Sequence, residues 1–385
     1  MKILFWTAAA LIAYAYAGYP VLLWMLARIG ARRYRQDDAH EPTVSLLVPA
    51  YNEERMIAAK LENALSLDYP AGKLEILVAS ESDDGTDEAV ERFTRREGPR
   101  VRLLPSRVRR GKVANLHRAV PEARGEILVF TDANAMFRPD ALRKLVRHFV
   151  DPRVASVSGR LVYRDTEGTA SARGERVYWN FEMLVKKASS DLGSLPGANG
   201  SLFALRRERY RPISETRGDD FELPIRAIID GYASILELDA VSEEPATERF
   251  VHEYRRKVRI IHWMSVSALI LLREALAAGR WLLVFQLLSH KLNRWMVPFW
   301  LLALLPASIY LSGDGSVYAL AALAQALTCV LALAGQAAES AGLRAPRFLV
   351  LPLYFVVVNA ASLVALLSCM TGREVRWHKR PDRAQ

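Results

Sequence analysis

The run Val44-Ser45-Leu46-Leu47-Val48-Pro49-Ala50-Tyr51-Asn52-Glu53-Glu54 decides how this chain is read. Residues 44–48 are almost continuously apolar, which suits a strand covered on both faces. A proline closes the run, polar and acidic residues come next, and 53–67 carries the spacing of an amphipathic helix. The pattern repeats downstream: strands are expected at 75–79, 100–104 and 127–130, and helices at 87–96, 112–123 and 139–150. Such alternation implies an α/β domain with a mostly parallel, Rossmann-like sheet under helices. Ligands in such sheets gather beyond the carboxyl ends of the strands. The loop after each strand therefore matters most.

Three of those loops carry acids: Pro49 to Glu54, Ser80-Glu81-Ser82-Asp83-Asp84-Gly85-Thr86, and Thr131-Asp132-Ala133-Asn134. Each has a plainer explanation, because Asn52, Asp84 and Asn134 each precede an expected helix and Asx residues are good N-caps. Caps do not need carboxylates at consecutive strand ends, so convergence on one sheet edge favours a ligand site.

Outside 42–260 the composition changes. The 385 residues are 51% hydrophobic and 24% charged with two cysteines, which excludes a disordered chain or a small disulfide scaffold. Residues 3–27 carry no charge, and 296–371 carry only Asp314, Glu339, Arg344 and Arg347. The first stretch is long enough to cross a bilayer. Ala15-Tyr16-Ala17 resembles a cleavage site, but the stretch is long for an exported leader. Arg28, Arg32, Arg33 and Arg35 also come after it, which holds the next domain in the cytoplasm. Segment 1–30 is thus expected to be an uncleaved anchor in the inner (plasma) membrane. Spans are expected near 296–311, 317–335 and 348–369, preceded by amphipathic interface helices in 261–295, at 262–276 and 281–295. Three such crossings leave the basic tail 372–385, with Lys379, Arg380 and Arg383, on the wrong side for the positive-inside rule, and the span count stays open. The net charge of +10 is explained by these juxtamembrane clusters, and no nucleic-acid motif is present. Cys329 and Cys369 lie in apolar spans without metal-ligand neighbours and read as packing residues.

The opening run resembles the first strand and loop of the family 2, GT-A fold glycosyltransferases, and further signatures appear in that family's order. Ser80 to Thr86 is similar to the acidic nucleotide loop, with Glu81 where Asp is usual. Gly111-Lys112-Val113-Ala114-Asn115-Leu116 resembles the Gly-Lys segment, and Asp132-Ala133-Asn134 sits at the Asp-x-Asp position. Pro196-Gly197-Ala198-Asn199-Gly200 through Arg207 resembles the acceptor-side strand, and Gly218-Asp219-Asp220-Phe221-Glu222-Leu223 the Glu-Asp-x-x-Leu motif. The likeness covers about 44–263, and the flanking spans fit the membrane polysaccharide-synthase branch.

The resemblance implies a transferase using a nucleotide sugar, expected to be a UDP-sugar. Ala50, Glu53, Glu81, Asp84, Lys112 and Asp132 would bind the donor nucleotide, and Asp132 with Asn134 would hold Mg²⁺ or Mn²⁺ on oxygen ligands. Asp220 would be the general base of an inverting single displacement, with Asp219 beside it. Arg255, Arg256 and Arg259 would stabilise the diphosphate, or form a membrane-surface basic patch. Gly197, Asn199 and Trp263 would face the acceptor, a lipid-linked or growing glycan at the cytoplasmic membrane face. The product would serve exopolysaccharide, surface-glycan or glycolipid synthesis. Polysaccharide synthases carry Gln-x-x-Arg-Trp where this chain reads Arg256-Lys257-Val258-Arg259-Ile260. That change and the few spans argue against a processive synthase that extrudes its product. A pseudo-transferase that only binds nucleotide sugar rests on Asn134 alone. A transporter would need ionisable residues deep in the spans, where the amides Gln325 and Asn359 are all that stands out.

Overall fold

The computed structural model describes residues 1–164, 170–245, 250–341, 343 and 345–372. Residues 373–385 of the basic tail and Arg344 lie outside the described residues. Helix α1 (Lys2–Gly30) leads to the catalytic-type domain. There β1 (Val44–Ala50), α2 (Glu54–Leu65), β2 (Leu74–Ser80), α3 (Thr86–Glu97), β3 (Val101–Pro105), α4 (Lys112–Glu122) and β4 (Ile127–Phe130) realise the expected alternation within two residues at each strand end. After them come β5 (Met136–Phe137), α5 (Ala141–Val146), β6 (Val154–Arg164), α6 (Ala170–Asp191), β7 (Phe203–Arg206), α7 (Asp219–Ile229) and β8 (Ala233–Pro245). The last four helices are α8 (Phe250–Ala277), α9 (Trp281–Tyr310), α10 (Ser316–Ser340) and α11 (Arg347–Met370).

The sheet has eight strands in the order β3-β2-β1-β4-β7-β6-β8-β5. β1 to β4 run parallel, β7 is antiparallel to both of its neighbours, and β6 and β8 are parallel to each other. Val44, Leu46 and Val48 pack with Ile57 and Leu61 of α2 on one face. Leu47 packs with Val113 and Leu116 of α4 and Leu223 of α7 on the other. Both faces are covered, which is why these strands read as continuous apolar runs.

Among the described residues five helices, α1 and α8 to α11, are long and apolar enough to cross a membrane. Helix α9 continues through the point where the sequence suggests a break between an interface helix ending at Trp295 and a span starting at Met296. Its charged residues explain the difference. Glu182 of α6 meets Arg294 at 2.9 Å, His290 at 3.5 Å and Lys291 at 4.0 Å, so they point inward. Pro298 and Pro306 are absorbed in the helix, and a π-helical stretch at Leu287–Leu292 precedes them.

Candidate active site

The parallel strands end at three consecutive loops, and these interlock. Asn52 takes a left-handed φ of +56°, one the short Asx side chain tolerates. Its amide oxygen accepts from the Asp83 N–H at 3.0 Å, and its own N–H donates to Ser82 Oγ at 2.9 Å. The Ala50 carbonyl accepts from the Glu81 N–H at 3.1 Å. Glu53 N–H donates to Thr86 Oγ1 at 2.8 Å. A cleft of about 390 Å³ opens here, lined by Tyr51, Glu81, Ser82, Asp83, Arg107 and Arg109. The Arg109 guanidinium lies 4.0 Å from the centre of the Tyr51 ring.

Asp84 and Asn134 separate the two readings of these loops. The Asp84 carboxylate accepts from Thr86 N–H at 3.0 Å and from Glu54 N–H at 3.4 Å, fastening the starts of α3 and α2, which is capping work. Asn134 caps no helix, because β5 comes directly after it. Glu81 is buried and its Oε2 accepts from the N–H groups of Arg110 (3.0 Å) and Gly111 (2.8 Å). Gly111 has φ +105°, so the turn that starts α4 needs glycine and is fixed by this carboxylate.

That turn delivers Lys112. Its Nζ lies 3.0 Å from Asp132 Oδ1 and 3.3 Å from Asp219 Oδ2, joining the end of β4 to the start of α7. Burial opposes the lysine charge, but Asp132, Asp219 and Asp220 outweigh it and hold the pKa above the ordinary lysine range. Asp220 is pushed up to about 6, first by burial and then by Asp219, with Lys112 opposing. Asp219 is also raised by burial, with Lys112 opposing.

The loop expected on the acceptor side, Pro196 to Gly200, stands against Asp220. Ala198 N–H donates to the Asp220 carbonyl at 2.7 Å. A Cβ at Gly200 would lie 3.1 Å from Asp220 Oδ2, and one at Gly218 3.1 Å from Oδ1, so both glycines keep the carboxylate uncovered. Gly197 has φ +108°. Asn199 is buried and its amide is fully engaged: it donates to the Gly159 carbonyl and accepts from Lys186. It thus shapes the loop from behind. Lys186 also donates to the Ala198 carbonyl at 3.3 Å.

The arginine-rich segment lies on α8. Arg256 is held by Glu253 (2.6 Å), by Glu175 of α6 and by the Tyr163 hydroxyl (3.2 Å), a network that ties α8 to α6 and β6. Its guanidinium is thereby committed to joining helices rather than to the cluster around Lys112. Arg255 is exposed, and the Arg259 guanidinium sits 5.7 Å from the Trp263 ring centre.

Asp132, with a carboxylate 40% exposed, and the half-buried Asn134 offer hard oxygen donors at a strand end. Among the described residues no cluster of three or more His, Cys, Asp or Glu is built to hold a metal alone. One or two protein oxygens fit the ions that complete their shell with substrate phosphates and water. Lys60 and Lys186 are the site-adjacent residues that sequence reading passes over. Lys60 had a signal: it falls on the buried stripe Ile57, Lys60, Leu61, Ala64 of α2.

A sheet with this order, acids at its carboxyl edge and a glycine-flanked aspartate define a GT-A type domain built onto membrane-type helices. Residues 45–213 match the family described as glycosyl transferase family 2. It is similar to a beta-monoglucosyldiacylglycerol synthase of Trichormus variabilis, 27% identical over 214 residues, 54% of this chain and 46% of the relative. It is similar also to a hyaluronan synthase of Streptococcus pyogenes, 24% identical over 181 residues, 46% of this chain and 43% of the relative. The chain thus spans about half the length of the curated relatives it matches. Among solved structures, a mannosyltransferase from Pyrobaculum calidifontis in complex with GDP-mannose and Mn²⁺ superimposes with a TM-score of 0.73 at 26% identity. That likeness covers 96% of this chain and 100% of the other, so it takes in the apolar helices as well as the sheet.

Proposed function

We propose that the chain is an inverting glycosyltransferase that moves a sugar from a nucleotide-sugar donor to a lipid-linked or growing glycan acceptor at the cytoplasmic face of the membrane. The observation that carries the reading is Lys112 paired to Asp132 and Asp219 with the elevated Asp220 beside them. Donor-side and acceptor-side residues meet there. The Tyr51 and Arg109 cleft takes the nucleobase, and Asp132 with Asn134 takes the divalent cation. A bound Mg²⁺ or Mn²⁺ would supply positive charge to the diphosphate as the leaving bond breaks.

The acceptor hydroxyl oxygen forms a bond to the anomeric carbon while its proton passes to Asp220. The bond from that carbon to the diphosphate oxygen breaks, and the nucleoside diphosphate leaves with the electron pair. Lys112, freed from Asp132 when the donor enters, neutralises that charge. The anchor and the apolar helices bring a lipid-borne acceptor to the same edge.

A UDP-sugar is the donor class the sequence resemblance implies, and GDP-mannose is the donor in the similar mannosyltransferase structure. The test is nucleotide release from UDP-, GDP- and TDP-sugars by protein in its native membranes, with Mg²⁺, Mn²⁺ or EDTA. Metal-dependent release from one donor, abolished by Asp220→Asn, is the expected result. Tight donor binding without turnover under every condition would overturn it in favour of a nucleotide-sugar-binding pseudo-transferase.

A further inference from the structure

Lys60 has no part in the chemistry above, yet its side chain is wholly buried beneath the donor loop. Its Nζ donates to Thr131 Oγ1 at 2.9 Å and to the Ala135 carbonyl at 2.5 Å, and lies 3.9 Å from the centre of the Phe137 ring. Its two hydrogen-bond acceptors are a hydroxyl and a carbonyl, neither of them a carboxylate. An ammonium has three donors, and two oxygens and one ring face account for all of them. A cation buried without a carboxylate is a costly way to fill a core position that Met or Leu would fill, so packing is a poor reason for it.

What Lys60 holds is specific. Thr131 and Ala135 bracket Asp132-Ala133-Asn134, so the ammonium pins both ends of the loop assigned to the metal. Thr131 Oγ1 in turn donates to the Ser201 carbonyl at 2.9 Å. Ser201 adjoins Gly200, the residue against the Asp220 carboxylate. One cation therefore sets the donor loop and, through one hydroxyl, its register to the acceptor-side loop. Burial pushes the Lys60 pKa down to about 7, while the fields of Asp132 and Glu244 favour its charge. The ammonium is thus electrostatically coupled to the loop it supports.

We propose that Lys60 is a positioning residue: it fixes the spacing of the Asp132 and Asn134 oxygens for a divalent cation and the register of that loop against Asp220. The proposal rests on the reading of Asp132 as a metal ligand. Its test compares wild type, Lys60→Met, Thr131→Val and Asp132→Asn in detergent. Mn²⁺ binding is followed by electron paramagnetic resonance in the presence of UDP or GDP, beside thermal unfolding and donor-turnover kinetics. Lys60→Met, of similar length and apolar, is expected to fold with its Tm little changed while Mn²⁺ binds about ten-fold more weakly. Its kcat falls at least as far, with little change in acceptor KM. Thr131→Val, which removes only the bridging hydroxyl, shifts kcat in the same direction and serves alone if Lys60→Met does not fold. Wild-type Mn²⁺ affinity and kcat in a folded Lys60→Met, or in Thr131→Val should that variant stand alone, would overturn the proposal. Equal Mn²⁺ binding by wild type and Asp132→Asn would instead remove the metal reading beneath it.

Discussion

Asp220 owes its character to position. It sits in the first turn of a helix, where the dipole favours its charge, yet burial and the neighbouring Asp219 push its pKa up to about 6. In the proposed role of general base it works ionised, so kcat/KM of the free enzyme should rise with pH through about 6 and level off above it. Asp220→Asn should lose roughly 10²-fold or more of kcat, the scale of what a positioned base contributes, with no rising limb left near pH 6. Stability runs the other way. Between the ordinary carboxylate range and about 6 the folded protein holds more protons than the unfolded chain, so stability falls as pH rises through that window. Asp220→Asn should therefore unfold at higher temperature than wild type at about pH 7.5 and show no such advantage at about pH 4.5. Scanning calorimetry at both values checks this. Glu81 gives a second prediction. Glu81→Gln exchanges a charged acceptor of two N–H groups for a weaker one. Lys112 is then held less firmly, and donor KM should rise several-fold with a smaller fall in kcat.

Helix α7 shows how an element couples site to scaffold. Pro224 lies inside it and brings no N–H, so the Asp220 carbonyl has no intrahelical donor four residues on. The Ala198 N–H fills that role at 2.7 Å and fastens the loop that holds Gly197 to Gly200 to the helix that carries Asp220. Glu222, with a fully buried carboxylate, pairs with Arg217 at 3.1 Å and Arg226 at 2.7 Å, and Arg226 reaches Glu274 of α8 at 3.0 Å. Glu222→Ala leaves the largely buried Arg217 without its partner and Arg226 with Glu274 alone, and should destabilise the fold by about 3 kcal/mol. Glu222→Gln should cost less; thermal unfolding of both variants ranks them. The elements differ in how far the sequence betrays them. β1 to β4 and their acidic loops are legible because period and punctuation are local signals. β6 and β8 are not, since their 11 and 13 residues mix polar and apolar side chains and one pairing carries register shifts. Lys60 is betrayed only by its place on the buried stripe of α2, and the inward charges of α9 escape for a related reason. A basic residue on a helix reads as solvent-facing until a partner from a distant segment is known.

At the scale of the molecule, end-to-end contacts bear on the topology that sequence reading leaves open. Gly30, the end of α1, lies beside Leu192, and Arg32 N–H donates to the Asp191 carbonyl, so this end abuts the catalytic domain. The other end carries Lys2, which pairs with Asp314 in the turn between α9 and α10 at 3.1 Å. The start of α9 returns to the domain, where Arg280 Nε donates to the Ile229 carbonyl at 3.0 Å. Helices α1 and α9 thus each run between the catalytic domain and a far side marked by Lys2 and Asp314. Helix α8 behaves differently. Near its start Arg256 holds Glu175 of α6 and Tyr163 of β6, it packs along Ile225 and Ile228 of α7, and it ends at the turn that touches Ile229. The interface placement expected for 262–276 would keep both of its ends on the side of the domain, whereas its length and composition allow a crossing. If the domain faces the cytoplasm, the turn at Ser312 to Gly315 is extracytoplasmic and the α8–α9 turn is not. Single cysteines placed at Gly313 and Ala278, in a background where Cys329 and Cys369 are alanine, separate these cases. A membrane-impermeant maleimide should label Gly313→Cys on intact cells and Ala278→Cys only after the membrane is opened. Labelling of Ala278→Cys on intact cells would make α8 a true span and add a crossing, which also moves the side on which the basic tail must lie.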